Sequence, residues 1–466
     1  MMKTDICVIG AGSAGLSVAA AAAQMGRKVV LIEKHLMGGD CLNFGCVPSK
    51  ALIAAAHQAH AMRNSAAFGI SPVEPVISGP GLNQHIHEII AQIAPEDSQE
   101  RFEGLGCHVI RAPAQFIDKT TLKAGSETIR ARRFVIATGS RAFIPDIPGL
   151  ASAPYLTNET IFSLTEIPEH LMVLGAGPIG VEIAQSYQRL GAKVTLIGRP
   201  KQILPKEDPE LSAIIAEKLA AEGVTLKLGL EVKAVQPGLN LELSDGSMIS
   251  GSHLLIAAGR RAVVENLGLE AAHIAYSEHG IVVDKAMRSS NRRIYAIGDV
   301  AGGPQFTHVA NYHAGLFIRS ALFCLPVREN RQILPRVTYC DPELAQIGLS
   351  EAEAQGLGLN FKVERWPFAR NDRARAERQS AGLVKIIIGP RGKILGAGIA
   401  GPHAGDLLGP WILAISQGLK ISALAGMVAP YPSLGEASRR AAMAHYAGLA
   451  QKPALRGFLQ LLSWFG

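Results

Sequence analysis

The sequence has few aromatic residues and no concentration of charge of either sign. Aromatic side chains make up 5% of the 466 residues, and the 46 Lys and Arg residues are spread along the chain. The net charge of +7 would suit a nucleic-acid-binding protein. Such a protein needs a basic helix or a row of aromatic side chains on which bases stack, and the sequence contains neither. We therefore expect anionic small molecules as partners, and no nucleic acid.

Low-complexity stretches, long charge runs and an N-terminal targeting signal are also missing. Residues 6–23 are almost wholly apolar, but they contain GAGSAG, are rich in Ala and Gly, and follow no basic segment. They are typical of a buried strand, a turn and a tightly packed helix. We therefore expect a cytoplasmic protein.

Cysteine is scarce, with six residues, and no set of Cys and His has the spacing of a zinc site, so we expect no metal centre. Cys41 and Cys46 nevertheless lie close together in GGDCLNFGCVPSK (38–50). In a reducing compartment such a pair is usually catalytic or metal-binding. Residues five apart in a regular helix have Cα atoms roughly 8–9 Å apart, whereas a disulfide needs less than about 7 Å. A bond between these thiols therefore requires a distorted first helical turn, which Gly45 would tolerate.

Two interpretations of the pair remain open from its own residues. A thiolate at a helix N-terminus has a lowered pKa and would be reactive. Alternatively, the two cysteines pack as small apolar side chains.

What the chain does contain is a nucleotide-binding pattern, which occurs twice. The run DICVI (5–9) leads into GAGSAG (10–15), an Ala-rich helix, and a strand at 28–32 that ends at Glu33. Glycines in such a loop let the backbone approach a pyrophosphate at the helix N-terminus, and the acid accepts hydrogen bonds from a ribose. The same order recurs about 165 residues later, around GAGPIG (175–180). The repeat predicts two dinucleotides, each held by its own domain.

The second copy differs at the strand end, where Arg199 and Lys201 stand in place of an acid. A carboxylate there favours a free ribose 2′-hydroxyl, whereas Arg favours a 2′-phosphate. The sequence therefore predicts NADPH over NADH. The alternative is that both side chains are solvated loop charges.

The rest of the chain indicates a mixed α/β protein. Helical spacing predicts a pair of helices at 50–66 and 81–103, and IYAIGDVAG (294–302) predicts a strand that ends beside Asp299. From about residue 331, alternating strands and apolar helices predict a further domain without a phosphate loop.

With these motifs in this order, the chain resembles the FAD-dependent pyridine nucleotide-disulfide oxidoreductases, nearest to the branch of dihydrolipoamide dehydrogenase, glutathione reductase and mercuric reductase. The resemblance covers essentially the whole chain, from ICVIGAGSAG to YPSLGE. It implies an α/β fold with two Rossmann-like domains and a C-terminal α+β dimerisation domain. The implied boundaries are 1–150 with 270–330 for FAD, 151–269 for NAD(P)H, and 331–466 for dimerisation, in a homodimer.

The resemblance also implies a role for individual residues. Cys46 would take electrons beside the flavin, Cys41 would exchange with substrate, and Lys50 would pair with Glu182 near the flavin ring. The implied catalytic residues are Cys41, Cys46, Lys50, Glu182, Tyr431 and Glu436. The implied FAD-binding residues are Gly10, Gly12, Gly15, Glu33, Lys34, Gly39, Asp40, Lys50, Thr138, Gly139, Asp299 and Ala310. The implied NADPH-binding residues are Gly175, Gly177, Gly180, Arg199, Lys201 and Gly259.

The chain departs from the family's pattern near its C-terminus. Disulfide reductases of this family carry His-Pro-Thr-x-x-Glu there, with the His as general acid–base, whereas this chain has Tyr431 and Glu436 in YPSLGE. A phenol with a pKa near 10 is a poor substitute for an imidazole near 6.5. Mercuric reductases are similar at this point, with Tyr preceded by Ala-Pro. They also carry a cysteine pair near the C-terminus, whereas no cysteine follows Cys340 here.

Three functions follow from the resemblance. The first is an NADPH-dependent reductase of a disulfide or thiol-bound substrate, and the second is a mercuric reductase. The third is a redox-sensing or electron-transfer flavoprotein that acts through a protein partner. The apolar tail at 455–465 predicts packing on the partner subunit, with contact at a membrane surface as the alternative.

Overall fold

The computed structural model describes residues 1–448 and 453–464. The chain forms two compact units. The first contains residues 1–175, 186–197 and 231–329, and the second contains residues 176–185, 198–230 and 330–466. The three domain boundaries expected from the sequence stay a prediction.

The secondary structure alternates between strands and helices over most of the chain. The strands are β1 (Met2–Ile9), β2 (Val29–Ile32), β3 (Cys107–Ile110), β4 (Ala114–Phe116), β5 (Thr121–Ala124), β6 (Glu127–Ile136), β7 (Ser140–Ala142), β8 (Tyr155–Leu156), β9 (His170–Leu174), β10 (Lys193–Gly198), β11 (Thr225–Leu228), β12 (Val232–Gln236), β13 (Asn240–Leu243), β14 (Met248–Ser250), β15 (His253–Ile256), β16 (Arg260–Ala262), β17 (Tyr276–Ser277), β18 (Gly280–Ile281), β19 (Ile294–Ala296), β20 (Arg336–Thr338), β21 (Glu343–Gly348), β22 (Lys362–Pro367), β23 (Leu383–Ile388) and β24 (Ile394–Gly401). The α-helices are α1 (Ser13–Gln24), α2 (Gly39–Asn43), α3 (Cys46–Arg63), α4 (Gly79–Ile93), α5 (Gln99–Gly104), α6 (Pro178–Arg189), α7 (Pro209–Ala221), α8 (Thr307–Ala321), α9 (Glu351–Gly356), α10 (Asp372–Ala376), α11 (Ala404–Leu407), α12 (Gly409–Ser416), α13 (Ile421–Ala425), α14 (Glu436–Ala447) and α15 (Pro453–Leu462).

A seven-stranded sheet forms the centre of the first unit. Its strands run in the order β3-β2-β1-β6-β5-β4, and β19 also pairs with β6. Strand β1 is parallel to both β2 and β6, and β19 is parallel to β6. Apolar clusters cover both faces, one of them built with α1 and α8, which is why β2 is buried at every residue. The carboxyl ends of β1, β6 and β19 therefore meet at one edge of the sheet.

The same unit contains the start of a second parallel sheet, in which β10, β9, β15 and β8 pair in that order. Its loop after β9 repeats the packing of the first phosphate loop. A Cβ added at Gly10 would lie 2.4 Å from the Ala137 carbonyl oxygen, and one at Gly175 would lie 2.2 Å from that of Ala257. Both glycines have positive φ, +105° and +124°. The duplication noted in the sequence is thus a duplication of backbone packing.

The second unit is built on an antiparallel sheet with the order β20-β21-β24-β23-β22. Its apolar face packs against Trp411 and other residues of the C-terminal helices. A buried ionic cluster ties this sheet to the start of α7. Lys385, whose side chain is 5% exposed, lies within 2.9 Å of carboxylate oxygens of Asp208, Glu210 and Glu351.

Two helix predictions need adjustment. The first helix of the expected pair already begins at Cys46 and ends at Arg63. The second is not continuous over 81–103: α4 ends at Ile93, a 3₁₀ turn runs over Ala94–Asp97, and α5 starts at Gln99. Pro95 explains the break because it lacks the N–H that would continue the helical bonds.

The tail helix α15 and the turn that follows it expose apolar side chains, including Phe458 at 55% and Trp464 at 80%. Phe465, the last residue of the predicted apolar tail, lies outside the described residues. Within residues 1–448 and 453–464, none of the helices combines the length and apolar character needed to cross a membrane.

Candidate active site

The cysteine pair lies at a junction between two helices, and this differs from the expected distortion of a single helix. Cys41 lies in α2, which ends at Asn43, and Cys46 is the first residue of α3. Gly45, between them, has φ −129° and ψ −110°, outside the helical region. Both cysteines are free thiols in this structure. The break at Gly45, and not a strained turn, brings the two side chains together.

Contacts around the pair shift the pKa values of the two thiols in opposite directions. A hydrogen bond from Cys41, and then a smaller one from Thr307, lower the pKa of Cys46 to about 6, with Lys50 adding to the effect and burial opposing it. The Cys46 Sγ is 3.2 Å from the Thr307 Oγ1, at the start of α8. The same bond between the thiols, together with burial, raises the pKa of Cys41 well above its usual range. At neutral pH the reduced pair therefore carries one negative charge, centred on Cys46.

The first phosphate loop and the cysteine segment touch backbone to backbone. Gly12 and Gly38 form a parallel β-bridge. A Cβ added at Gly39, which has φ +59°, would lie only 2.7 Å from the Gly12 Cα. A Cβ added at Gly15 would lie 1.9 Å from the carbonyl oxygen of Gly10, so α1 begins tight against the loop. Side chains at these glycines would fill a surface on which the backbone can approach a pyrophosphate.

Glu33 is fixed at the edge of this loop. Its two carboxylate oxygens accept hydrogen bonds from the backbone N–H of Ala11 and of His35, both at 2.7 Å. Lys34, beside it, is exposed. A carboxylate held here can accept hydrogen bonds from ribose hydroxyls, as the sequence pattern predicts.

Asp40 and Asp299 are joined by an arginine that the sequence interpretation missed. The Arg260 guanidinium lies 3.2 Å from the Asp40 Oδ2 and 4.0 Å from the Asp299 Oδ2. It also donates to the side chain and carbonyl oxygens of Ser140, at 2.7 and 2.9 Å. Burial raises the pKa of Asp299, while the hydrogen bond from Ser140 and the charge of Arg260 oppose that rise.

The signal for Arg260 was present in the sequence. It directly follows Gly259, which the resemblance implied only as an NADPH-binding residue. Asn158 was missed as well, and its Nδ2 donates to the Asp40 Oδ1 at 2.9 Å. No local pattern marks Asn158.

The remaining predicted FAD residues surround the same edge of the sheet. Thr138 donates from its hydroxyl to the Val263 carbonyl at 2.7 Å, and Gly139 follows with φ +69°. Lys50 donates to the Ser49 hydroxyl at 3.3 Å, and Ala310 is buried in α8. The glycine surface, the held Glu33 and the partly buried carboxylate of Asp299 suit the pyrophosphate, ribose and polyol of FAD, so the residues present fit this cofactor.

Glu182 is buried in the second unit, where it accepts a hydrogen bond from the Tyr339 backbone N–H at 2.9 Å. Lys50 belongs to the first unit. Their pairing stays a prediction.

The predicted NADPH residues lie after strands β9, β10 and β15 and at the start of α6. Gly177 directly precedes α6 and Gly180 lies in its first turn, whereas Gly259 is exposed. Arg199 and Lys201 are exposed in the loop after β10. This loop is tied to the phosphate loop, because the Leu204 N–H donates to the Ala176 carbonyl at 2.7 Å.

Tyr431 is exposed to solvent and hydrogen-bonded to Asp372. It is 71% exposed, and its hydroxyl donates to the Asp372 Oδ2 at 3.3 Å. The charge of Asp372, and this hydrogen bond, raise the pKa of Tyr431 above its ordinary value. Glu436 begins α14 and pairs with Arg440 at 2.9 Å. Tyr431 is therefore protonated and a hydrogen-bond donor at neutral pH, where less of it is in the proton-accepting phenolate form than for a free phenol.

The structure groups no three or more His, Cys, Asp and Glu side chains into a metal site in the part of the chain that it describes.

Comparison with known families agrees with this geometry. Residues 4–314 match the pyridine nucleotide-disulphide oxidoreductases, and residues 334–442 match the dimerisation domain of the same proteins. The chain is 36% identical to a mercuric reductase of Streptomyces lividans over 96% of this chain and 97% of the relative. It is 31% identical to a dihydrolipoyl dehydrogenase of Geobacillus stearothermophilus over 95% and 96%, respectively.

Two solved structures share the fold. LpdA from Mycobacterium tuberculosis has a TM-score of 0.88 and 26% identity, with 96% of this chain and 100% of that chain covered. The Cu(II) complex of the HOCl-induced flavoprotein disulfide reductase RclA from Escherichia coli has a TM-score of 0.85 and 27% identity, with 95% and 99% covered. These matches confirm the predicted fold class and family, and the dimerisation domain indicates a homodimer.

Proposed function

This chain belongs to the pyridine nucleotide-disulphide oxidoreductase family, and we propose that Cys41 and Cys46 are the redox centre through which it reduces a disulfide or thiol-bound substrate with electrons from NADPH. The protein is a flavin-dependent oxidoreductase that uses a nicotinamide nucleotide. FAD, when bound, supplies the two-electron carrier between the nicotinamide and the cysteine pair. The observation that carries the proposal is the placement of two free thiols at the junction of α2 and α3, with the Cys46 Sγ 3.2 Å from the Thr307 Oγ1; the opposite shifts of their pKa values support it.

Exchange with a disulfide substrate follows from the chemistry of the reduced pair. The Cys41 sulfur, once deprotonated, attacks one substrate sulfur, so a mixed disulfide forms and the first substrate thiolate leaves. The Cys46 thiolate then attacks the Cys41 sulfur, which releases the second thiolate and restores the Cys41–Cys46 disulfide. Two electrons leave the pair, and the two product thiolates take up protons. The first step needs a group that accepts the Cys41 proton, because the pKa of Cys41 is raised.

Tyr431 limits which substrates suit this site. In the family the matching His from the second subunit accepts that proton, and we propose that YPSLGE completes the partner subunit's site in the same way. Because its pKa is raised, Tyr431 stays protonated at neutral pH and is not available to accept the Cys41 proton as an imidazole would be. We therefore expect slow turnover with lipoamide or glutathione disulfide, whose reduction depends on proton transfer.

We propose NADPH as the electron donor. Arg199 and Lys201 lie on a loop tied to the phosphate loop by the Leu204–Ala176 hydrogen bond, so two cations follow the strand end where an acid would select NADH. Anaerobic titration of the protein with NADPH or with NADH, with the number of reduced thiols as the readout, tests this choice of donor. Only NADPH should reduce the cysteine pair at stoichiometric concentrations.

Mercuric reduction is the second candidate, and Tyr431 favours it. A soft metal ion bound by two thiolates needs no proton transfer to a leaving sulfur, so a tyrosine suffices. The similarity to mercuric reductases over nearly the full length of the Streptomyces relative supports this candidate. Hg(II)-dependent NADPH oxidation in excess thiol would establish it. The same assay with lipoamide, glutathione disulfide and Hg(II) in parallel separates the two candidates.

We also propose that the tail helix α15 packs on the partner subunit. Its exposed Phe458 and Leu459, and Trp464 just after it, follow in sequence a segment that matches the dimerisation domain. Deletion of residues 454–466 should weaken dimerisation in gel filtration. Unchanged dimerisation with lost binding to lipid vesicles would instead indicate a membrane-surface contact.

A further inference from the structure

A buried histidine that the proposed exchange does not use holds the turn that carries Asp299. The Gly298 backbone N–H donates to the His313 Nδ1 at 3.2 Å. On the other side of the ring, the His313 Nε2 lies 3.1 Å from the Glu329 Oε1. The His313 side chain is 1% exposed and that of Glu329 is 9% exposed. Gly298, His313 and Glu329, from separate parts of the first unit, thus form one buried chain of hydrogen bonds, the Gly298–His313–Glu329 chain.

The partners of the ring determine which nitrogen carries its proton. A backbone N–H can only donate, so the His313 Nδ1 must accept and bears no proton. The proton of the neutral ring is then on Nε2, where it is donated to the Glu329 carboxylate. Glu329 therefore selects the tautomer that can receive the Gly298 N–H.

The turn depends on this acceptor because its backbone is enclosed. Gly298 is buried and has φ +71°, and a Cβ added there would lie 3.4 Å from the Cβ atoms of both Ala14 and Ala310. These are ordinary van der Waals distances, so helices α1 and α8 flank the turn but packing against them does not by itself fix its position. Without the His313 nitrogen, the Gly298 N–H would be a buried donor without that acceptor, which is costly. Asp299, the next residue, would share any movement that relieves the cost.

We propose that His313, oriented by Glu329, is a positioning residue for the flavin site, which sets Asp299 and thereby how tightly FAD is retained. The inference rests on the proposed role of Asp299 as an FAD-binding residue. It predicts that loss of the Gly298–His313–Glu329 chain speeds the release of FAD as well as lowering folding stability. Loss of an ordinary core histidine would lower stability alone.

The test measures FAD release from the purified holoprotein by the rise of flavin fluorescence after dilution. We expect His313→Leu, which removes both hydrogen bonds, to release FAD about tenfold faster than the wild type, as one lost buried hydrogen bond implies. His313→Asn keeps an acceptor oxygen near the position of Nδ1 and should recover most of the wild-type rate. Glu329→Leu, which removes the acceptor for the Nε2 proton, should change release in the same direction as His313→Leu.

Phe317→Leu serves as the matched control, because Phe317 is fully buried in the same helix and packs edge-on against Tyr295, with ring centroids 4.9 Å apart. Thermal unfolding of each variant shows how much stability it loses. The proposal is overturned if His313→Leu and Phe317→Leu release FAD equally at equal loss of stability, or if His313→Asn is no better than His313→Leu. A wild-type protein without FAD would refute the proposed function itself, and this inference with it.

Discussion

The ionisation of Cys46 should depend chiefly on its neighbour Cys41. With a pKa of about 6, Cys46 would be roughly nine-tenths thiolate at pH 7, against about 1% for a thiol with the ordinary value of 9.0. The first cause of this shift is the hydrogen bond from Cys41, ahead of the one from Thr307 and the charge of Lys50. Loss of the Cys41 donor should therefore move the titration of Cys46 toward higher pH.

The size of this effect follows from the strength of a hydrogen bond to a charged group, which is about 1.5–3 kcal/mol. At about 1.4 kcal/mol per pKa unit, Cys41→Ala should raise the pKa of Cys46 by about one to two units. Cys41→Ser retains a hydroxyl donor at the same place and should raise it less. Cys41→Ser/Thr307→Val then removes the second donor and should raise it again.

The assay uses the holoprotein of each variant, because with Cys41 replaced Cys46 is a free thiol without added reductant. The long-wavelength absorbance of a thiolate beside an oxidised flavin is followed from pH 5 to pH 10. It should fade as the pH falls through the pKa of Cys46, at a lower pH in Cys41→Ser than in Cys41→Ala. Cys46→Ser should lack the band altogether. Equal midpoints in Cys41→Ser and Cys41→Ala would refute the role given to the hydrogen bond.

Three further results are expected. Arg199→Glu should raise the KM for NADPH about tenfold or more, and should leave the KM for NADH unchanged or lower, because a carboxylate repels a 2′-phosphate. An equal change in both KM values in steady-state assays would mean that Arg199 is a solvated loop charge. Tyr431→His should raise kcat with lipoamide or glutathione disulfide by about 10²-fold near neutral pH. An imidazole accepts a proton at that pH, whereas Asp372 raises the pKa of the phenol and keeps it protonated. A kcat that stays at the wild-type level would show that proton transfer at this position is not limiting. Lys385→Met should lower the free energy of unfolding by about 3–5 kcal/mol in urea titrations, because it leaves the buried carboxylate of Asp208 without its cation. The control Lys233→Met, at a solvent-exposed pair with Glu231, should cost less than about 1 kcal/mol, and similar losses in both variants would contradict the role given to burial.

Much of the fold could be predicted because its signals are local. The two phosphate loops follow from glycines whose backbone must pass within van der Waals distance of the next strand, as the contacts of Gly10 and Gly175 show. The apolar strands, and the start of alternating strands and apolar helices near residue 331, were enough to predict the α/β fold class. Where a local signal was overlooked, the prediction was wrong: Pro95 ends the helical run that spacing alone extended to 103.

The sequence by itself determined the two nucleotide loops, the cysteine pair and the tyrosine that replaces the expected histidine. These depend on residue types within short windows, where backbone geometry and side-chain chemistry leave few alternatives. Only the tertiary structure decided that Arg260 joins Asp40 to Asp299, that Thr307 reaches Cys46, and that His313 supports Gly298. Such pairs connect residues far apart in the chain, and no pattern within a short window records them. They form because separate elements meet in the fold: β16 pairs with β7 beside Ser140, and α8 packs against α1 and the turn after β19.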